Sequence, residues 1–390
     1  MQQNIWFTPE GIEDLLPEQA KKLEYYRRKL LDGFELSGYK LVLPPIAEFT
    51  DSLLTGTAHN LETDTCRFTD QESGKMMGVR SDMTPQVARM ITHSIFKNQD
   101  IARLCYVGEV LKNKNNKAKG SRSPIQIGAE LFGHADVESD IEVVSLMLSS
   151  LSSIGLTNLT LSLGHVSVVT ELMVLAGFDK KTSLQLIDIL QRKAVPEFNE
   201  FVQGLTLSTN LKNIFENILA LCGETEDVLI KANKLLGGLS TKIDGSLKRL
   251  ETINRYFKTL DETLNINLDL TDLRGFDYHT GIIFSCYAAD KKLYRVAKGG
   301  RYDGIGSKFG MKTAATGFSL DLRSTLDLLQ NIAVAKDVIY APIVADTKLE
   351  IKIVEMKQLH IVKRFYKNEE LATGERYLNL DNGQWQVIIK

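Results

Sequence analysis

The sequence has few cysteines, and they are not arranged as a framework. Cys66, Cys105, Cys222 and Cys286 lie far apart with no CxxC pair. That spacing argues against a structural zinc site and a disulfide scaffold, and it predicts reduced thiols, as in a cytoplasmic protein. A targeting segment is missing too: Met1-Gln2-Gln3-Asn4 is neither basic nor followed by an apolar stretch. No window holds eighteen uninterrupted apolar residues, so neither a signal peptide nor a membrane span is expected. Excess charge of one sign is also absent: the formal net charge is −2, which gives no reason to expect a polyanionic partner. There is no GxGxxG after a strand and no GxxxxGK[ST], hence no Rossmann or P-loop phosphate cradle. Internal repeats and low-complexity tracts are lacking.

What remains is an ordinary globular composition, 43% apolar and 25% charged over 390 residues. That length exceeds what one core usually serves, so more than one domain is expected. Pro17-Glu18 opens a helix in which Leu23, Tyr26, Leu30, Leu31 and Phe34 recur at helical spacing up to Gly38. Residues 39–43 read as a short strand stopped by Pro44-Pro45, at an edge or interface. Strand patterns follow at 103–107, 125–128 and 159–163, with helices from Pro85 to Phe96 and from Asp140 to Leu151. Residues 166–264 are helical by periodicity and read as an insertion. Strand patterns return from Asp269. After about Asp337 a tail alternates apolar and polar residues, as in Ile351-Lys352-Ile353-Val354, and reads as a few strands. The expected fold is α+β with a mixed or antiparallel sheet. Its domains are 1–165 with 265–332, a helical insertion at 166–264, and a short β-rich unit at 333–390.

Three segments carry polar groups in suggestive patterns. Arg80-Ser81-Asp82-Met83-Thr84-Pro85 places a carboxylate and a hydroxyl just before a helix, suited to an ammonium group or to helix capping, of which the fragment alone favours capping. Gln126, Gly128 and Glu130 share one face of a strand, which makes either a floor for a charged small ligand or a solvent-facing side. Arg274 to Gly281 and Gly299 to Gly304 mix Arg, Asp, Tyr and His between glycines. They suit carboxylate clamping and close backbone approach, or a pair of solvated turns.

In order along the chain, these segments resemble class II histidyl-tRNA synthetase from about Pro9 to Leu329. Residues 9–18, PEGIEDLLPE, look like that family's opening run. Gly38-Tyr39 through Pro45 and Glu48 is similar to its dimer-forming first motif. Arg80-Ser81-Asp82-Met83-Thr84 sits where the family has Arg-Pro-Glu-x-Thr. Leu273 to Gly281 looks like its histidine motif, and Gly299-Gly300-Arg301-Tyr302-Asp303-Gly304 matches its GGRYDG motif. The resemblance implies a class II synthetase-like antiparallel sheet flanked by helices. It also implies a histidine pocket: Asp82, Thr84 and Gln126 for the ammonium group, Glu130 and His279 for the imidazole, Arg274 for the carboxylate, Tyr278 and Tyr302 as walls.

The departures from that pattern bear on function. Leu111-Lys112 stands where the family has Phe-Arg, so the arginine for the ATP α-phosphate becomes a point charge without a fork. In the third motif Asp321 replaces a glycine and Ser324 the arginine for the γ-phosphate. Arg323 is one residue away and points about 100° around a helix from Ser324. Adenylate formation depends on clamped phosphates, so no aminoacylation and no catalytic residue are expected. No cofactor or metal is expected either, and the C-terminal region is too short for an anticodon-binding domain, so no tRNA is expected. This combination resembles a paralogous family, the regulatory subunits of ATP phosphoribosyltransferase. That resemblance implies a short-form catalytic subunit as partner, histidine as feedback effector, and self-association through the first motif. The Lys112–Arg122 loop is the candidate for a segment ordered by ligand or partner. A divergent active histidyl-tRNA synthetase and a stand-alone amino-acid sensor are the alternatives.

Overall fold

A computed structural model describes residues 8–55, 59–92, 100–114, 121–273, 278–289, 292–305, 313–332, 337–366 and 369–390. By its contacts the chain divides into two compact units, Met1–Gln330 and Asn331–Lys390.

The first unit is built on a nine-stranded sheet. Its order is Lys40–Leu41, Ala102–Glu109, Ile125–Phe132, Ala315–Asp321, Leu293–Arg301, Ile282–Ala289, Leu159–His165, Asn265–Asp269, Cys222–Glu224. The six strands from Ala102–Glu109 to Leu159–His165 pair antiparallel, and parallel pairs occur only toward the two edges. Side chains along each strand alternate between two faces. On one face, Phe318 meets Phe34 of the helix Pro17–Leu36, ring centroids 5.9 Å apart. That helix has Pro at its start and buries Leu23, Tyr26, Leu30 and Phe34 at helical spacing. It ends before Gly38, whose φ of +84° suits a residue without Cβ. The helix Val137–Ser153 packs beside it. On the other face Gly317 and Ser319 of the same strand are left open to a cavity.

Residues 166–264 supply six α-helices, from Val166–Leu175 to Thr241–Leu260, and belong to the same apolar core as the sheet. They also contribute the short strand Cys222–Glu224, which periodicity does not reveal. A separate three-stranded sheet joins Ala47–Phe49, Met76–Val79 and Cys66–Thr69. The helix expected from Pro85 to Phe96 is described from Thr84 to Met90; residues 93–99 lie outside the described residues.

The second unit is a four-stranded sheet, Ile361–Phe365, Val338–Pro342, Arg376–Asp381 and Gln384–Ile389, with one helix, Thr347–Met356. That helix corrects the strand reading of 351–354. Its start is fixed by Asp346, whose carboxylate accepts from the Lys348 N–H at 2.8 Å. Leu349 and Ile353, four residues apart, then reach one small core with Ile339, Ala341 and Leu378.

Candidate functional site

The cavity has a volume of about 630 Å³. Its most enclosed part is assembled around Glu130. In Ile125–Phe132, Gln126, Gly128 and Glu130 fall on one face, and the neighbouring strands pair with them residue by residue. Tyr106 lies opposite Gly128 on one side, and Gly317 lies opposite Glu130 on the other. Both glycines are needed for close approach. A Cβ at 128 would overlap the Phe318 carbonyl and stand 2.7 Å from the Tyr106 hydroxyl. A Cβ at 317 would overlap the Glu130 carboxyl itself. Gly300, paired with Gly317, leaves room for the His279 ring, whose Nε2 would be 2.8 Å from a Cβ there.

Glu130 is only 1% exposed. The Tyr106 hydroxyl donates to its Oε1 at 2.9 Å, and the Tyr302 hydroxyl donates to its Oε2. Thr84 Oγ1 lies 3.2 Å from the same Tyr106 hydroxyl. Burial pushes the Glu130 carboxyl up to about 8, against the lowering effect of the two phenols, and Asp82 adds to the rise. Burial thus favours the protonated form of this carboxyl relative to an exposed glutamate. Burial beside that carboxyl also drives Tyr106 and Tyr302 well above the ordinary phenol range. Tyr278 is raised too, by burial and by Asp82, and its ring lies 5.1 Å from that of Tyr302. The Tyr278 hydroxyl is buried, with no hydrogen-bond partner among the described residues. A buried polar atom of that kind calls for a ligand or water partner.

The structure brings Asp82, Thr84, Glu130, Tyr278, His279 and Tyr302 together on the cavity wall. Gln126 stands one step back. Its amide nitrogen donates to Asp82 Oδ1 at 3.0 Å, and its oxygen accepts from the Met83 N–H at 2.8 Å, so it orients Asp82. Asp82 also accepts from the Thr84 N–H at 2.9 Å, although the residue at the helix N-cap is Met83, which makes no side-chain cap bond. Arg274, with residues 275–277, lies outside the described residues. Arg301 turns away from its neighbour Tyr302 to the opposite sheet face. There its guanidinium meets Asp140 at 2.9 Å, and Arg249 reaches the same carboxylate at 2.6 Å. Sequence reasoning missed Tyr106; a tyrosine facing a glycine across a strand pair becomes visible only once the register is known.

A family model for histidyl-tRNA synthetase matches residues 11–325. The chain is 62% identical to an ATP phosphoribosyltransferase regulatory subunit of Hydrogenovibrio crunogenus, with both chains covered in full. It is 43% identical to one of Thioalkalivibrio sulfidiphilus, over 91% of this chain and 89% of the relative. The chain belongs to the ATP phosphoribosyltransferase regulatory subunit family, within the histidyl-tRNA synthetase group. A crystal structure from Bacillus halodurans, titled as an ATP phosphoribosyltransferase regulatory subunit/histidyl-tRNA synthetase, shares the fold with TM-score 0.83 and 24% identity, over 95% of this chain and 96% of that one. A histidyl-tRNA synthetase from Nostoc shares it with TM-score 0.73 and 15% identity, over 98% and 97%.

In this member of the regulatory subunit family, the described residues around Asp321 do not form a phosphate clamp. The Asp321 carboxylate accepts from the Arg323 N–H and the Ile125 N–H, both at 3.1 Å, capping one short helix and tying down a strand end. Burial raises its pKa. Arg323 reaches the Glu13 carbonyl at 2.7 Å rather than the cavity, and the Ser324 hydroxyl bonds back to the Asp321 carbonyl at 3.1 Å. Lys112 alone of these positions lines the cavity. Its backbone is locked to Arg122 by N–H to carbonyl (2.8 Å), with Arg122 Nε returning to the Lys112 carbonyl at 3.0 Å.

Proposed function

We propose that this chain is the regulatory, non-catalytic subunit of a short-form ATP phosphoribosyltransferase in histidine biosynthesis, that it binds free histidine in the Glu130 pocket, and that this binding mediates feedback inhibition of the catalytic chain. The observation that carries the ligand assignment is the enclosed Glu130 carboxyl, gripped by two phenols and faced by Tyr278 with an open hydroxyl. A buried carboxyl poised to hold one proton suits an imidazole, because carboxyl and ring can share a single proton between them. Asp82, oriented by Gln126, is the acceptor for the ammonium group, and Arg274 the clamp for the carboxylate. The name carried by the Hydrogenovibrio and Thioalkalivibrio relatives supports the partner.

Inhibition requires that histidine bind one state of the complex better than another. Leu41 and Leu43, 49% and 68% exposed at an open sheet edge, support self-association through the first motif. Among the described residues no helix is long and apolar enough to cross a membrane. The deciding experiment is reconstitution with a short phosphoribosyltransferase chain. We expect co-purification, stimulation of phosphoribosyl transfer, and inhibition by histidine that Glu130→Gln weakens. Activity unaffected by this chain would overturn the reading in favour of a free sensor. Histidine-dependent ATP–pyrophosphate exchange at an ordinary synthetase rate would overturn it in favour of an enzyme.

A further inference from the structure

The cavity extends beyond the Glu130 pocket, and its next wall has its own chemistry. Strand register places Ser162 opposite Ser285, Ser285 opposite Lys298, and Lys298 opposite Ser319. Directly opposed residues share a face, and all four line the cavity. The three serine side chains are half-buried, and none has a hydrogen-bond partner among the described residues. A β-bulge adds a fifth group. The register slips between Cys286 and Tyr287, so Val296 is left over and Arg295 pairs with Tyr287. Strict alternation from Lys298 would send Arg295 to the opposite face. The extra residue turns it onto the cavity wall, where it is found.

We propose that this row is a second ligand subsite, for a small hydroxylated phosphate ester of the pentose phosphate kind. Arg295 offers a fork that matches phosphate oxygens, and Lys298 a point charge beside it. Serine hydroxyls both donate and accept, so they suit the hydroxyls of a sugar. Four neighbouring strands about 4.8 Å apart give a row roughly 14 Å long, enough for a phosphate and a five-carbon skeleton. Ser162, Ser285, Lys298 and Arg295 lie on strands that carry neither Lys112 nor Asp321, and Ser319 alone shares a strand with Asp321. The subsite's assignment does not depend on what fills the Glu130 pocket, so it is tested without histidine.

The test is calorimetric titration of the whole chain with ribose 5-phosphate, ribose, inorganic phosphate and ATP. The wild type is compared with a Lys298→Gln/Arg295→Gln double variant and with Lys112→Gln. Lys298 and Arg295 are exposed, and an unchanged melting temperature and circular dichroism spectrum verify that the double variant is folded. We expect ribose 5-phosphate to bind at least tenfold tighter than ribose or inorganic phosphate. The double variant should weaken it at least tenfold, and Lys112→Gln less than twofold. No binding of ribose 5-phosphate at millimolar concentration would overturn the proposal, as would equal binding of inorganic phosphate. Binding that is strongest for ATP and depends on Lys112 rather than on Lys298 and Arg295 would also overturn it, placing the anion at the nucleotide position of the synthetase relatives.

Discussion

The two ends of the sheet's open face are built to different purposes. Around Glu130 the polar side chains are buried and point at one another across a gap, with glycines clearing the way and the Tyr278 hydroxyl without a hydrogen-bond partner among the described residues. Around Asp321 the polar side chains are turned into the fold, where they cap a helix and fasten the N-terminal segment. Both ends carry charges that a sequence motif would mark as functional. The contrast shows that what a charged residue does is decided by whether its partners are already inside the protein. Substitutions at the first end should therefore change ligand affinity, and those at the second end stability alone.

The largest effect is expected at Glu130. Glu130→Ala leaves two buried phenols without an acceptor, a cost of about 1–3 kcal/mol each. Histidine affinity should fall at least about 100-fold, or some 2.7 kcal/mol. Glu130→Gln keeps the shape and the acceptor oxygen, so urea denaturation should show stability near wild type at neutral pH while calorimetry shows a clear loss of affinity. Wild-type histidine affinity in both variants would remove Glu130 from the pocket.

Gly317→Ala comes next. Its methyl group would collide with the Glu130 carboxyl, and overpacking of this kind costs about 1–3 kcal/mol. The displaced carboxyl should weaken histidine roughly tenfold. Unchanged affinity would mean that the carboxyl has another place to go.

The third test uses pH. Folding raises Glu130 from 4.5 to about 8, so across that window the native state holds a proton that the unfolded chain has lost, and stability falls as pH rises. His165 works in the opposite sense. Burial, with Arg249 and Arg301 nearby, lowers its pKa from 6.5 to about 3, so its contribution is present above 6.5 and is lost as pH falls below it. The two slopes oppose each other from 4.5 to 6.5, leaving a Glu130-driven decline from 6.5 to 8 that Glu130→Gln should abolish. Histidine binding follows the same proton. A complex in which ring and carboxyl share one proton should be tightest between about 6.5, where free imidazole titrates, and about 8. Affinity that rose steadily through pH 8 would contradict the shared proton.

Much of this pocket was legible in the sequence because it lies along single strands. Gln126, Gly128 and Glu130 follow a period of two, and Tyr302 follows a glycine pair. Tyr106 was not legible, because its partner Gly128 is in another strand and only register joins them. The direction of Arg301 was missed for a related reason: alternation fixes that it opposes Tyr302, but not that Asp140 waits on the far side. The strand reading of Ile351-Lys352-Ile353-Val354 failed because local alternation was outweighed by the Asp346 cap and by the four-residue spacing of Leu349 and Ile353.

The smallest effect is the one that tests the second end directly. Asp321→Ala removes a side chain that accepts from two backbone N–H groups, Arg323 and Ile125. Loss of a cap typically costs about 1 kcal/mol, and part of that is returned because the carboxyl is held in a buried place that raises its pKa. Thermal unfolding should therefore show a modest drop. Histidine affinity should stay within about twofold, because the carboxylate's partners belong to the fold and not to the cavity. ATP–pyrophosphate exchange should remain at background, since removing one anion does not supply the missing arginine fork at 112 or 324. A gain of exchange in Asp321→Ala would mean that this end is a masked nucleotide site, and that the difference between the two ends rests on a single carboxylate.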